Sequence, residues 1–598
     1  MKIKTVTLHN WRSIKHLTIH FQDLMIFIGQ NNHGKSNILY GLIFFFGQVP
    51  LEALDFNESS NELFVEITFE NLDEFDRTTF RKYVTASNTM CVRKSAIKGT
   101  GFEYHGHVEA PNEDWLREEN IGNYTRRDIA EALPLARYLP ETGRITKEAF
   151  MMAQEKYIEE HKNELNFTYQ LELGPFLGAK NVAKGIFGDV YFVPSVKNAS
   201  EDFSTRGNTV FSGLYSRIMS KISDANPEFQ EAKKTIMVLM RMLNKADEEG
   251  NPNTQRPPEL TAFEESLQQE LDNWNSTIDV EVIPPNIDDI LRVGTSVWVN
   301  DGIRTDISRK GQGLQRALIF ALVRTLAKTL RGEGQVQADS DQVEYKDQRS
   351  SARQASRSTY FVIEEPELYL HPQAQRELYD SLVELSKSEN QIIVCTHSSS
   401  FLNLEDYKSI CIIRKNSLEE GTTAFQCTEE LLDEVDDKTY FNLTHWINPA
   451  RSELFFARKV ILVEGPTDKT IIPYLAHEIG VFRHDYSVIE CGSKSSMPSY
   501  LHLLNRFSIR YVVVYDQDHQ TYKNANAIAS ADKDTARILS LIDGSLGSSI
   551  ILINDIEEEI GIAEPSDKSK PFLTLSHVKG TDFNLTQQLE QKLRLMYQ

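Results

Sequence analysis

Cysteine is scarce in this chain: five in 598 residues, at positions 91, 395, 411, 427 and 491, with no C-x-x-C pair. An odd, scattered set argues against a disulfide framework or a zinc site and fits a reducing cytoplasm, the expected location. Long apolar runs are missing too. None approaches the roughly 20 residues that cross a bilayer, so no membrane association is expected. Residues 1–10 lack the apolar core of a signal peptide. Positive charge is in deficit, with 64 Lys and Arg against 86 Asp and Glu and a net charge of −22. Such a surface repels nucleic acid on average, so any DNA contact must use a local basic patch or bridging cations. Internal repeats are absent as well. What remains is ordinary for globular protein, at 40% apolar and 25% charged residues, and the length suggests about three or four domains.

One phosphate-binding pattern is complete. Gly29-Gln30-Asn31-Asn32-His33-Gly34-Lys35-Ser36 reads G-x-x-x-x-G-K-[ST]. It follows an apolar run, Leu24 to Ile28, and precedes a helix-like run, Asn37 to Phe46, which is the strand–loop–helix context the motif requires. Gly29, Asn31, Asn32 and Gly34 shape the cradle. Lys35 reaches the terminal phosphates, and the Ser36 hydroxyl ligates the Mg²⁺ of ATP. The helix N-terminus adds positive dipole at the anion.

Ahead of this loop, apolar residues alternate through Ile3, Val6, Leu8, Ile14, Leu17 and Ile19, predicting a β-hairpin. Leu63 to Phe69 reads as another strand. From about 110 to 290 the pattern turns helical and charged, and Gly332 to Ser358 reads as a polar, mobile insertion. Beyond it, apolar runs alternate with helical ones, the mark of a parallel α/β sheet.

Phe361 to Glu364 is an apolar strand ending in acids. Strand tips place carboxylates where α/β folds bind ligands. Glu364 is therefore the expected Mg²⁺-holding acid and Glu365 the group that polarises the attacking water. Gln391 to Thr396 is a further strand, ending at His397, the expected sensor of the γ-phosphate. Ser308 to Arg316 holds Gly311, Gln312, Gly313 and Gln315. They form either a plain loop before an amphipathic helix or a second helix N-terminus aimed at phosphate.

After Ala450 a new α/β pattern begins. Lys459 to Val463 leads to Glu464, Gly465 and Asp468; Tyr486 to Cys491 leads to Gly492; Tyr511 to Tyr515 leads to Asp516 and Asp518; Ser549 to Asn554 leads to Asp555 and Glu557. In a parallel sheet these tips share one edge. The crowded carboxylates would repel one another unless cations neutralise them. Hard oxygen ligands select Mg²⁺, Mn²⁺ or Ca²⁺. The plain alternative is that acids cap strand ends, solvated and unpaired.

The order Asn10-Trp11-Arg12-Ser13, P-loop, Gly-Gln-Gly-Leu-Gln-Arg, Ile-Glu-Glu-Pro-Glu, Thr-His-Ser resembles ABC-type ATPases of the RecF and SMC kind. The resemblance implies that Arg12 binds nucleotide. It also implies that Gly311, Gln312, Gly313 and Gln315 of one protomer close over ATP held by another, in a dimer or higher oligomer. Gln312 replaces a common serine and Glu364 a common aspartate, which leaves turnover speed open. Glu464-Gly465 with Asp516 and Asp518 resembles the Toprim fold. The fusion of the two is similar to the OLD (overcoming lysogenisation defect) nucleases, which include Gabija and retron-associated effectors.

The expected fold class is thus α/β. It comprises an ABC-type ATPase domain (1–145 and 286–450), a helical insertion over 146–285 whose apolar spacing suits a dimer contact or ordinary core alike, and a Toprim domain over 451–598. The resemblance implies a nucleotide-regulated, divalent-metal-dependent DNA endonuclease in phage defence, with a possible helicase or reverse-transcriptase partner. It adds the metal positions Asp555 and Glu557, with Glu558 and Glu559 leaving the register open. It also adds a phosphate-stabilising lysine, assigned to Lys570, with Lys568 and Lys579 as alternatives. A Toprim topoisomerase or primase, and an SMC-like scaffold without nuclease activity, are the competing readings.

Overall fold

The computed structural model describes the chain outside residues 59, 118–119, 141, 162–163, 173, 180–181, 183–184, 196–208, 244–255, 272–296, 339–355, 357, 388–389, 430–450 and 563–569. Its first strands are β1 (Lys2–Trp11) and β2 (Ile14–His20), an antiparallel hairpin with Trp11 opposite Ile14. Then β3 (Leu24–Ile28) runs straight into the P-loop. All five β3 residues are buried, as expected for a strand covered on both faces. The helix Lys35–Phe45 follows.

The antiparallel sheet grows by β4 (Glu62–Glu70), β5 (Met90–Ile97), β6 (Gly101–Pro111) and β7 (Phe167–Leu171), in the order β2-β1-β4-β5-β6-β7. Sequence patterning reaches only the hairpin and β4. The segment 146–285 is also not wholly helical, since β7 pairs with β6 there. Within it the helices Lys147–His161, Val210–Ala225, Pro227–Leu243 and Pro258–Leu271 do form.

The second sheet begins at its edge with β8 (Asp189–Val193), whose Asp189 N–H donates to the Ser358 carbonyl. A short hairpin, β9 (Trp298–Asn300) and β10 (Arg304–Asp306), stands apart from that sheet. The sheet continues with β11 (Thr359–Glu364), β12 (Asn390–Cys395), β13 (Ile410–Arg414) and β14 (Thr423–Gln426). There β3 lies between β12 and β13 and runs parallel to both. The P-loop helix packs on β1, β4 and β12, so it is buried nearly all round, and Ile38, Leu39, Leu42, Ile43, Phe44 and Phe45 are each 0% exposed.

A helix buried at its C-terminus needs partners for its last carbonyls. Here Lys94 of β5 donates to the Phe44 carbonyl at 2.6 Å, and the Tyr104 hydroxyl donates to that of Phe45. Burial pulls the Lys94 amine down to about 7. Between that value and its ordinary 10.5 the unfolded chain binds the extra proton, so this contribution to stability rises with pH. Thermal melts should show the Tm of the unmodified chain gaining on that of Lys94→Met as pH goes from about 7 to about 9. A constant gap would contradict the assignment.

The chain forms two compact units, 1–190 with 346–367 and 371–598, and 191–345 with 368–370. In the second unit, the helix Val210–Ala225 packs on a long helix, Gln312–Ala338. The polar stretch read as a mobile insertion is helical from Gly332 to Ala338; its remainder at 339–355 and 357 lies outside the described residues.

The C-terminal sheet is β15 (Lys459–Val463), β16 (Tyr486–Glu490), β17 (Tyr511–Asp516) and β18 (Gly547–Leu552), all parallel, in the order β16-β15-β17-β18. Its two central strands are apolar and buried from Val460 to Val463 and from Tyr511 to Tyr515. The helices Pro466–Glu478, Lys570–Val578 and Gln587–Met596 cover one face, with Ile471, Leu475, Val512, Val514, Leu589 and Leu593 in the shared core.

Candidate metal centre and nucleotide site

The P-loop closes tightly on its surroundings. Gly29 has φ 143°, and a Cβ there would lie 2.1 Å from the Ile413 carbonyl oxygen, so only glycine fits. Gly34 also has positive φ, at 103°, and Asn32 at 63° takes the left-handed conformation that asparagine tolerates. The Lys35 ammonium donates to the Gly29 and Gln30 carbonyls at 2.9 and 2.8 Å, and burial lowers its pKa. The Ser36 hydroxyl donates to the Glu364 carboxylate at the tip of β11. The two groups assigned to the same Mg²⁺, distant in sequence, therefore touch.

Beside them, Glu365 adopts positive φ (45°) and places Oε1 3.7 Å from His397 Nε2. Burial, then the Lys35 charge, pushes His397 down to about 4, so its ring is neutral near pH 7. A neutral ring can donate or accept a hydrogen bond at a phosphate without carrying charge. Glu367, given no role from sequence, accepts from the Thr396 hydroxyl at 2.8 Å and the His397 N–H at 2.6 Å, and so holds that strand tip. Arg12 donates to Asp55 at 2.9 Å and lies over the Tyr40 ring. Asn31 is exposed on the loop.

Gly311, Gln312, Gly313 and Gln315 fall in the other compact unit. There the Gln315 amide donates to the carbonyls of Ile307, Ser308 and Lys310. Its observed work is closing its own loop. Gly311 and Gln312 are exposed.

In the C-terminal sheet the acids converge at the strand tips, as the parallel pattern predicts. Glu464 accepts from the Asp516 backbone N–H at 2.8 Å, which joins the tips of neighbouring strands. Asp468, in the first turn of the helix after Glu464, accepts from the Gly465 N–H at 3.1 Å. Asp518 has φ 65°, and its N–H donates to the Asn554 carbonyl at 3.1 Å, tying it to the loop after β18. Asp555 caps the short helix Ile556–Glu559 and accepts from the Gln520 amide at 3.0 Å. Glu557 is buried, with Thr467 hydrogen-bonded to it and Lys570 close enough to stabilise its charge. Of the alternative lysines, Lys579 lies over the Tyr474 ring, and Lys568 lies outside the described residues.

The electrostatics are adverse. Burial first, then repulsion from Asp468, Glu464, Asp518 and Asp555, drives Asp516 up to about 10. Burial, with Asp518 and Asp468 adding to it, raises Glu464 to about 7, and burial with Glu557 and Asp555 raises Asp468 to about 7. The Oδ1 atoms of Asp468 and Asp516 are buried without a hydrogen-bond partner. Orphaned acceptors in a dense acidic cluster fit a bound cation. Among the described residues no three of these acids bring ligand atoms within 4.8 Å of one another, although their charges act on one another.

Two lysines at the site were not assigned from sequence, and the first, Lys523, donates to Asp518 Oδ1 at 2.5 Å. Lys494, 5% exposed, donates to the Asp516 carbonyl and stands 3.6 Å from Asp518. Its only signal in the sequence is its place in the turn after the second strand.

Comparison with known proteins bears on the two domains. Residues 1–402 match the family described as AAA ATPase domain, and residues 455–518 match the overcoming lysogenization defect protein-like TOPRIM domain. The Old nuclease of Escherichia phage P2 is 23% identical over 87% of this chain and 77% of that protein. Endonuclease GajA of Bacillus cereus VD045 is 20% identical over 88% and 77%. The OLD nuclease of Thermus scotoductus is 33% identical over 26% of this chain and 30% of that protein. With an AAA ATPase domain matched over two-thirds of its length and an OLD-like Toprim domain after it, the chain belongs to the OLD family of nucleases.

Proposed function

We propose that the chain is a divalent-metal-dependent DNA endonuclease whose cutting responds to nucleotide bound at residues 29–36. The observation that carries this is the pair of buried, unpartnered carboxylate oxygens on Asp468, in the first turn of the helix after β15, and Asp516, at the tip of β17. With Glu464, Asp518, Asp555 and Glu557 they would hold Mg²⁺ or Mn²⁺. Divalent ions bound there supply an activated water and stabilise the leaving oxygen of a phosphodiester. Lys570 near Glu557 and Lys494 beside Asp518 put positive charge at the cluster, where a scissile phosphate gains charge.

Nucleotide control is supported by contacts from the nucleotide-site elements to the segments that lead into the Toprim strands β15 and β17. The Gln30 amide, inside the P-loop, donates to the Phe456 carbonyl at 3.3 Å, three residues before β15. Arg414, at the end of the strand that abuts Gly29, donates to the Ser508 carbonyl at 2.8 Å. Movement of the P-loop on binding ATP therefore bears on the start of the Toprim sheet.

Supercoiled plasmid incubated with Mg²⁺ or Mn²⁺, with and without ATP, tests the reading. Nicked or linear product whose yield changes with ATP supports it. Altered topoisomers would instead indicate strand passage, and an unchanged plasmid a scaffold. Lys494→Met should cut about 100-fold more slowly. An unchanged rate would leave Lys494 with a bracing role alone. The family resemblance extends the proposal to a homodimer or higher oligomer, to phage defence and to a helicase or reverse-transcriptase partner. Light scattering of the purified chain and its neighbouring reading frames address these points.

A further inference from the structure

A second group of ligand-type side chains lies far from both sites in sequence and on a different sheet. Glu66 of β4, Cys91 of β5 and His107 of β6 each offer one ligand atom, all within 4.8 Å of one another. The register explains the meeting. Thr68 pairs with Cys91 across β4 and β5, which puts Glu66 on the same face one diagonal away. Across β5 and β6, Val92 pairs with Gly106, which sets Cys91 beside His107. The sequence offers no C-x-x-C spacing because the ligands come one from each of three neighbouring strands.

The surroundings suit an ion. Cys91 is 5% exposed, in no disulfide and within hydrogen-bonding reach of Thr68 and Glu66, and His107 Nδ1 is buried with no hydrogen-bond partner, while its Nε2 faces Glu66 Oε2 at 3.6 Å. Arg93 also meets Oε2 of Glu66, at 2.7 Å, and lies over the Phe64 ring at 4.0 Å. Arg93 and the His107 ring thus meet the same carboxylate oxygen, and Oε1 can ligate while the Arg93 pair persists. The Tyr169 ring stacks on His107, and its hydroxyl accepts from the Cys91 N–H at 3.1 Å, which fixes the ring and strand positions.

We propose that Glu66, Cys91 and His107 bind one Zn²⁺, with water in the fourth position. A thiolate, an imidazole and a carboxylate are the zinc donor set, and the sulfur ligand selects against Mg²⁺ and Mn²⁺. On binding, the Cys91 S–H bond breaks, its proton passes to solvent and the sulfur lone pair forms the bond to zinc. No electron is transferred. The ion would staple β4, β5 and β6 together. Since β5 carries Lys94, it would also steady the carbonyl cap of the P-loop helix.

Zinc content per chain, measured by plasma emission after exhaustive dialysis, tests this in full-length protein. Asp516→Ala is used as the background so that the acidic centre does not contribute. About one zinc per chain is expected, lost in both Cys91→Ser and His107→Gln. No zinc above buffer level, or zinc retained in either variant, overturns the assignment. Should a variant fail to fold, Co²⁺ added to the protein with Cys91 intact gives an independent readout. A thiolate-to-cobalt charge-transfer band at one equivalent supports the site, and its absence overturns it.

Discussion

Asp516→Ala is expected to lower plasmid cleavage by about 10³-fold or more while leaving ATP binding intact. Asp516 lies at the centre of the cluster. Glu464, Asp468, Asp518 and Asp555 all act on its charge, and one of its oxygens has no protein partner. Removing it takes away an anchoring ligand, and metal stabilisation of a phosphodiester transition state is worth several kcal/mol. The fold should survive, since the substitution relieves repulsion in the apo protein, and Tm measured without metal should hold or rise. Wild-type cutting by Asp516→Ala would show that the chemistry lies elsewhere. A falling metal-free Tm would instead show that the acid is a structural partner.

Lys35→Ala is expected to weaken ATP binding on the order of 100-fold, the value of about 3 kcal/mol for charge-assisted hydrogen bonds. Lys35 is 5% exposed and turned onto its own loop, so it is preorganised at the place where phosphate oxygens would replace the Gly29 and Gln30 carbonyls. Mn²⁺ binding by the C-terminal cluster should not change, because the lysine makes no contact there. Nucleotide titration calorimetry with Mn²⁺ titration of the same variant separates the two. Undiminished ATP affinity would remove the P-loop assignment. Loss of both activities together would indicate misfolding.

The legible part of this protein was the part in which function is written in consecutive residues. The P-loop needs its glycines, lysine and serine side by side, and β15 to β18 are parallel strands whose tips follow fixed apolar runs. Asp516 and Glu464 could therefore be placed on one edge before any coordinate. The Ser36–Glu364 contact follows the same logic. The strands β5 and β6 were not legible. Lys94 sits at a buried position in β5, and β6 reads Tyr104-His105-Gly106-His107, so neither shows an apolar alternation. The lysine is tolerated there because the end of the P-loop helix supplies a carbonyl acceptor, a condition no local pattern reveals. Lys494 was missed for a similar reason. It reaches Asp516 only because Gly492 turns the chain at φ 85°, bringing a lysine from one strand's exit to the tip of another.

Anomalous diffraction from crystals soaked in Mn²⁺ bears most directly on the claim that distant acids share one ion-binding volume. Mn²⁺ peaks are expected within bonding distance of Asp468 Oδ1 and Asp516 Oδ1. Saturating Mn²⁺ that leaves both oxygens bare, with peaks only at Ser36 and Glu364 or on the outer surface, would contradict it.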